Sequence, residues 1–478
     1  MNAPALFARQ TEIQILDNLL NSAQAELIAI YGRRRIGKTF LIREFFIDKG
    51  VYFELAGIHK ASLETQLKNF DITCEETFGR LPEREPVSSW FDAFTLLRKQ
   101  VETISNETKV ILFFDELPWL SSSKSEFMPA LEHCWNRYLS RMNNVKVIVC
   151  GSAASWMIEN IINNRGGLHG RLSCTIQLMP FTLQETEKYL RSRYISLSRK
   201  SIIELYMVMG GVAKYLTQVE PGFSSAQLIN KLCFKKNGYL NLEFDNLYAS
   251  LFDGCDKHVS IVKALASKKQ GLSRNEILSQ TELKSGGNTT KVLKELEASG
   301  FIARVPLMGK KQSGAFYKLT DEYTLFYLNW ILPHVSSNIQ NIQDDCWLKL
   351  RFGRRWSAWS GYAFEDICLK HIDKIKEILG ISGIATITSS WHNEFAQIDG
   401  VIDRADNCIN LLEFKYYEDE FVIDHAYRKI LENKKQQFIK ATKTKKAVFL
   451  TLVTTYGVKE NAHYLECVQN QIVIDGLF

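Results

Sequence analysis

In the stretch "ELIAIYGRRRIGKTFLIREFF", residues 26–46, two glycines bracket four residues and are followed by Lys-Thr. The loop reads Gly32-Arg33-Arg34-Arg35-Ile36-Gly37-Lys38-Thr39. Ahead of it runs an apolar segment of strand length, and behind it apolar residues recur at helical spacing. A chain in this order turns from a buried strand into a helix at the glycines, which aims backbone N–H groups and the positive end of the helix dipole at one place. An anion fits there, the alternative being a basic turn with no ligand. The pattern assigns Lys38 to the β- and γ-phosphates of ATP and Thr39 to Mg2+, while the glycines let the backbone approach without a Cβ in the way. Arg33, Arg34, Arg35, Ile36 and Phe40 line the same site, but only Lys38 and Thr39 carry phosphate and metal roles.

Such a site needs an acid on a second strand. "KVILFFDELPWL" supplies a buried-strand run ending in Asp115-Glu116. Asp115 is expected to hold the metal through water and Glu116 to polarise the water that attacks the γ-phosphate; the alternative is an acidic pair that merely ends a strand. A third run, "VKVIVCGSAASWM", delivers Ser152, either a γ-phosphate sensor or a plain turn residue. Arg171, in "GGLHGRLSCTIQLMPFT", either neutralises transition-state charge, from the same or a neighbouring subunit, or pairs on the surface.

These pieces, with "FARQTEI" near the start, resemble the archaeal-type ATPases, relatives of the STAND branch of the AAA-like P-loop NTPases. The resemblance implies that the first segment packs near the adenine, placing Phe7, Arg9 and Glu12 by the base. Where relatives often carry Pro in a Gly-x-Pro element of the lid, "GGVAKYL" has Ala213.

At 478 residues the chain is too long for one core. Its 46% hydrophobic and 23% charged content is that of a soluble globular protein. No run approaches the roughly 18 apolar residues of a membrane span, and the N-terminus shows no basic segment leading into an apolar stretch, so a cytoplasmic protein without membrane contact is expected. Ten cysteines occur singly with no CxxC pair, which argues against a zinc site and a disulfide framework. The net charge of +6 is modest. Basic residues nevertheless cluster at 348–356 and 428–446, as solvated helix faces or as nucleic-acid contacts.

From Phe181 to about Phe252 the pattern is helical, as in a lid. Residues 254–335 read as helices from His258, from Ser273 and from Asn288 to Ser299, then strands at "FIARV" and "AFYKL", which is a winged helix-turn-helix. A DNA reader of this type puts the Asn288 helix in the major groove and Lys310-Lys311 on the backbone. That helix sets Lys291 and Lys294 against Glu295 and Glu297, a weak footprint for DNA; the other reading is a packing spacer.

Glu-x-Lys occurs four times, but only "CINLLEFKYYE" places it well inside a strand-like run. Alternation puts Glu413 and Lys415 on one face. Asp399 stands on the strand-like "FAQIDGVID" before it, and Glu365 on the amphipathic helix "GYAFEDICLKHI". The order resembles the PD-(D/E)XK phosphodiesterases, with Ile398 where the motif's name has Pro. The resemblance implies that Asp399 and Glu413 hold one or two Mg2+ ions, Glu365 completes the shell and Lys415 orients the attacking water. Archaeal-type ATPases often carry a C-terminal domain related to this fold. The alternatives are a solvated edge strand or a scaffold that has lost its chemistry.

The expected architecture is therefore α/β and multidomain: a P-loop NTPase domain (1–178), a helical lid (179–253), a winged helix (254–335) and a restriction-endonuclease-like domain (340–478). The expected function is ATP hydrolysis coupled to Mg2+-dependent cleavage of nucleic acid, DNA before RNA, in defence or repair, with a homo-oligomer possible. The alternative is an ATP-dependent switch or DNA-binding regulator whose last domain only binds.

Overall fold

The computed structural model describes all residues except 1–5, 7, 81–85, 123–124, 164–165, 253, 306–315 and 338–344, and the side chains of 335–337. The expectations for Phe7 and for Lys310-Lys311 lie outside the described residues. The chain divides into two compact units, 1–180 and 181–478.

The first unit is built on five strands: β1 (Glu26–Tyr31), β2 (Val51–Ala56), β3 (Val110–Asp115), β4 (Val145–Gly151) and β5 (Cys174–Gln177). They lie in the order β2-β3-β4-β1-β5, all parallel. A parallel sheet covered on both faces needs continuous apolar strands, and β3 and β4 are buried throughout. Alternation sorts β3 into two cores: Ile111 and Phe113 pack with Ile42 and Phe46, whereas Leu112 and Phe114 pack with Phe53, Trp90 and Phe127. The sheet thus fixes the C-terminal ends of β1, β3 and β4 side by side, where open α/β sheets bind ligands.

The second unit opens with helices, among them Leu183–Ser192, Arg199–Met209 and Glu243–Leu251. Helices Asp256–Ala266, Arg274–Thr281 and Gly287–Ala298 follow, with a small antiparallel sheet in the order β6-β8-β7: β6 (Leu272–Ser273), β7 (Ile302–Val305) and β8 (Phe316–Leu319). The last sheet is mixed, in the order β13-β12-β11-β10-β9. Its strands are β9 (Thr386–His392), β10 (Gln397–Arg404), β11 (Cys408–Lys415), β12 (Ala447–Thr454) and β13 (Asn470–Val473). β9 to β11 pair antiparallel and β11 to β13 parallel.

His371, after helix Arg354–Lys370, ties this sheet's helical layer to the start of the unit. Its Nε2 accepts from Leu183 N–H at 3.0 Å and its Nδ1 meets Ile367 O at 2.8 Å, so the imidazole is neutral. Burial drives its pKa down to about 4.

Candidate nucleotide and nuclease-like sites

The first site forms where β1 enters helix Lys38–Phe46. Gly37 caps that helix at φ 92° with no side-chain hydrogen bond, so its first N–H groups face outward uncapped. Gly32 turns at φ 148°, and a Cβ there would stand 2.3 Å from Leu178 O. The Lys38 ammonium folds back onto Gly32 O and Arg33 O, both at 2.9 Å. Arg9, which is buried, braces the loop: its guanidinium donates to Ile36 O at 3.3 Å and Met179 O at 2.7 Å, and it pairs with Glu12 at 3.5 Å. Arg33 is buried, Arg34 lies 5.7 Å from the Trp119 ring centroid, and Arg35 takes φ 74°, an unusual conformation for a residue with a Cβ. Phe40 is exposed.

The acids stand beside the loop. Thr39 Oγ1 donates to Asp115 Oδ2 at 2.6 Å. A hydroxyl and a carboxylate converging next to an uncapped helix N-terminus form an oxygen donor set that suits Mg2+ held jointly with phosphates. Glu116 takes φ 47° immediately after β3. Its Oε2 accepts from Ser152 Oγ at 2.8 Å and Ser152 N–H at 3.2 Å. Neither reading of Ser152 from sequence anticipated this: its hydroxyl is engaged by the acid, because β4 lies next to β3 and ends at the same level. Arg171 is exposed and its backbone N–H bonds Leu168 O.

The second site lies on β10, β11 and two helices. Residues 399–400 form a β-bulge against β9, where the register shifts between Ile398 and Val401. Bulges re-aim side chains, and Asp399 Oδ2 here accepts from Phe414 N–H at 3.1 Å. Glu413, buried in the middle of the unit's sheet, is gripped by cations. Lys415 reaches its Oε1 at 2.8 Å, and Lys434, from helix His425–Thr442, reaches both oxygens at 2.8 and 2.7 Å. Tyr427 adds a hydrogen bond at 3.1 Å. Burial alone raises a carboxyl pKa, yet the two ammonium groups outweigh it and hold Glu413 below its ordinary value. Asp399 moves the other way, to about 6, through burial and the Glu413 charge. Glu365 is pushed up to about 8, chiefly by burial, against the opposing Lys318. Lys318, on β8, pairs with Asp366 and stands 3.9 Å from Glu365.

All four residues expected from the sequence thus border one cleft of about 980 Å3. With Lys434 on Glu413 the arrangement does not fit a divalent ion: both Glu413 oxygens are taken by ammonium groups, and among the described residues no group of three or more His, Cys, Asp or Glu is gathered to hold a metal in this arrangement. Lys434, Tyr427 and Lys318 were missed as site residues. Lys434 left a signal, since it shares a helix stripe with Leu431 and Phe438, both buried. Lys318 left none, because its partner is set by tertiary packing.

Residues 6–219 match the model of an ATPase domain family found predominantly in Archaea. An uncharacterized protein of Methanocaldococcus jannaschii is 24% identical over 394 residues, 82% of each chain. An uncharacterized ATP-binding protein of the same organism is 44% identical over 43 residues, 9% of this chain and 73% of the relative. Among solved structures, a Walker-type ATPase of Pyrococcus abyssi is similar at TM-score 0.49 and 18% identity, covering 68% of this chain and 96% of that one. The ORC2 protein of Aeropyrum pernix, solved with ADPNP and ADP, is similar at TM-score 0.42 and 16% identity, over 69% and 94%. No helix among the described residues is long and apolar enough to cross a membrane.

Proposed function

We propose that the chain binds and hydrolyses ATP at the loop 32–39 and that this cycle drives an action on nucleic acid at the C-terminal cleft, cutting a phosphodiester there. The observation that carries the ATPase reading is the convergence of Thr39, Asp115 and Glu116 beside an uncapped helix start. Lys38 exchanges its two carbonyl partners for phosphate oxygens. Thr39 and Asp115 would hold Mg2+, which would supply neutralisation of the phosphate charge. Glu116 orients a water and accepts its proton, with Ser152 fixing the carboxylate until it is needed. Arg171 is exposed and so available to a neighbouring subunit, in keeping with a homo-oligomer.

In the second unit, segment 254–335 has the element order of a winged helix-turn-helix, but Lys318 of β8 is engaged with Asp366 and Glu365. We read this segment as a spacer holding the cleft rather than as a reader of DNA. Cutting at the cleft requires Lys434 to leave Glu413. The same contact favours a second reading, a nucleotide-driven switch whose cleft binds nucleic acid without cutting it. The purified chain, incubated with plasmid, linear duplex, single-stranded DNA and RNA, with Mg2+ and with or without ATP, separates the two. Cut products establish cleavage; retention of nucleic acid without products establishes the switch; absence of ATP hydrolysis overturns both.

A further inference from the structure

Resting on the reading that the C-terminal cleft acts on nucleic acid, we infer that its substrate is single-stranded or locally unpaired. Three aromatic rings on the wall of this cleft are left open to solvent. Phe352 is 83% exposed, Tyr417 52% and Tyr362 43%. Exposed rings scattered singly need no explanation, whereas three gathered on one concave wall do, and Trp356 and Phe421, which also line the cleft, are buried. Cations accompany the open rings. The Arg351 guanidinium lies 5.4 Å from the Phe352 ring centroid and the Lys269 ammonium 3.4 Å from that of Tyr362.

Open rings interleaved with cations match the chemistry of a single strand, whose bases expose both π-faces for stacking while the phosphates seek positive charge. A paired duplex offers its bases only edge-on and would leave the rings unused. Depth argues the same way. Glu413 is 3% exposed at the base of the cleft, and a cleft of about 980 Å3 is the size of a small-molecule pocket, room for one or two unstacked nucleotides. A phosphodiester reaches Lys415 only when its strand is separated from the complement. Glu418, an acid on the wall, pairs with Lys200, Glu413 is held by Lys415 and Lys434, and Asp399 and Asp419 remain as the acids a phosphate must pass.

The test measures fluorescence anisotropy of the full chain with labelled oligomers of roughly a dozen nucleotides, as single-stranded DNA, single-stranded RNA and blunt duplex. Single strands are expected to bind at least about ten-fold more tightly than duplex, with Phe352→Ala and Tyr417→Ala each weakening them by about ten-fold and Phe352→Trp restoring binding. Phe352 is exposed, while the half-exposed Tyr417 also packs on Phe421 at 5.0 Å, so circular dichroism checks the fold of both variants and Phe352→Ala is the cleaner probe. The DNA and RNA arms identify which strand is preferred. Equal or tighter binding of duplex, or single-strand binding indifferent to both alanine variants, overturns the inference. Ring-dependent single-strand binding without cut products supports the inference and rejects cleavage; cutting of duplex with binding indifferent to the rings rejects the inference and leaves cleavage standing.

Discussion

The Ser152 hydroxyl donates to Glu116 Oε2 at 2.8 Å, and the Ser152 backbone N–H meets the same oxygen at 3.2 Å. Two donors on one oxygen fix the carboxylate that β3 delivers by means of a residue that β4 delivers. Glu116→Gln preserves shape but removes the proposed base, so the variant is expected to bind ATP normally and hydrolyse it roughly 100-fold more slowly. Ser152→Ala leaves the base but frees it, with an expected loss of about ten-fold in kcat at unchanged KM. Steady-state phosphate release checks both; a Ser152→Ala enzyme impaired in KM alone would mean that Ser152 contacts the nucleotide.

Lys38 and Arg34 sit four positions apart in the same loop with different partners. Lys38 is buried and bound to two loop carbonyls, whereas Arg34 faces the Trp119 ring. Lys38→Ala is expected to abolish ATP hydrolysis and Arg34→Ala to leave it within about two-fold, since the half-buried Arg34 meets the Trp119 ring rather than the loop carbonyls. Equal loss from both would make the arginine run part of the phosphate cradle.

Glu365 gives the second unit a pH signature. Its folded pKa of about 8 lies above the ordinary value of 4.5, so the native state holds a proton that the unfolded chain has released. Stability from this group is therefore full at low pH and lost as pH rises through the folded value. His371 is neutral in both states over the upper part of this range, and Asp399, raised to about 6, has largely titrated by then. Urea unfolding of wild type is expected to show a falling midpoint from about pH 6.5 to 8.5, and Glu365→Gln to flatten it. A rising midpoint in wild type would show that Glu365 is ionised.

The nucleotide site was legible because its parts are local. Glycines, Lys38 and Thr39 are contiguous, and Asp115-Glu116 ends an unbroken apolar run, so chain order alone implied the convergence. The Ser152–Glu116 bond was hidden because it depends on which strand neighbours β3. The C-terminal constellation was legible as a set of residue types: strand alternation put Glu413 and Lys415 on one face, and the structure joins them at 2.8 Å. Its electrostatic state was not. The basic run 428–446 suggested backbone neutralisation, yet Lys434 turns inward onto Glu413. Sequence counts charges along a helix, whereas its apolar stripe decides which of them is drawn into the site.

Asp399, Glu413 and Lys415 face one cleft in a unit separate from the loop 32–39, which makes the two proposed activities separable by mutation. Asp399→Ala, Glu413→Gln and Lys415→Ala are each expected to eliminate cutting while ATP hydrolysis stays within about two-fold. Glu413→Gln also strands Lys415 and Lys434 without their shared carboxylate, a loss of about 3 kcal/mol for a buried ion pair reduced to one sign. Intact ATPase activity and the far-ultraviolet spectrum therefore serve as folding checks for that variant, and Lys415→Ala, which leaves Lys434 on Glu413, is the milder probe. Products are read on denaturing gels with Mg2+ present. Cutting that persists in Asp399→Ala would place the chemistry elsewhere, and a wild-type chain that binds strands but never cuts them would leave the clamped carboxylate as the floor of a binding cleft, with ATP turnover controlling grip.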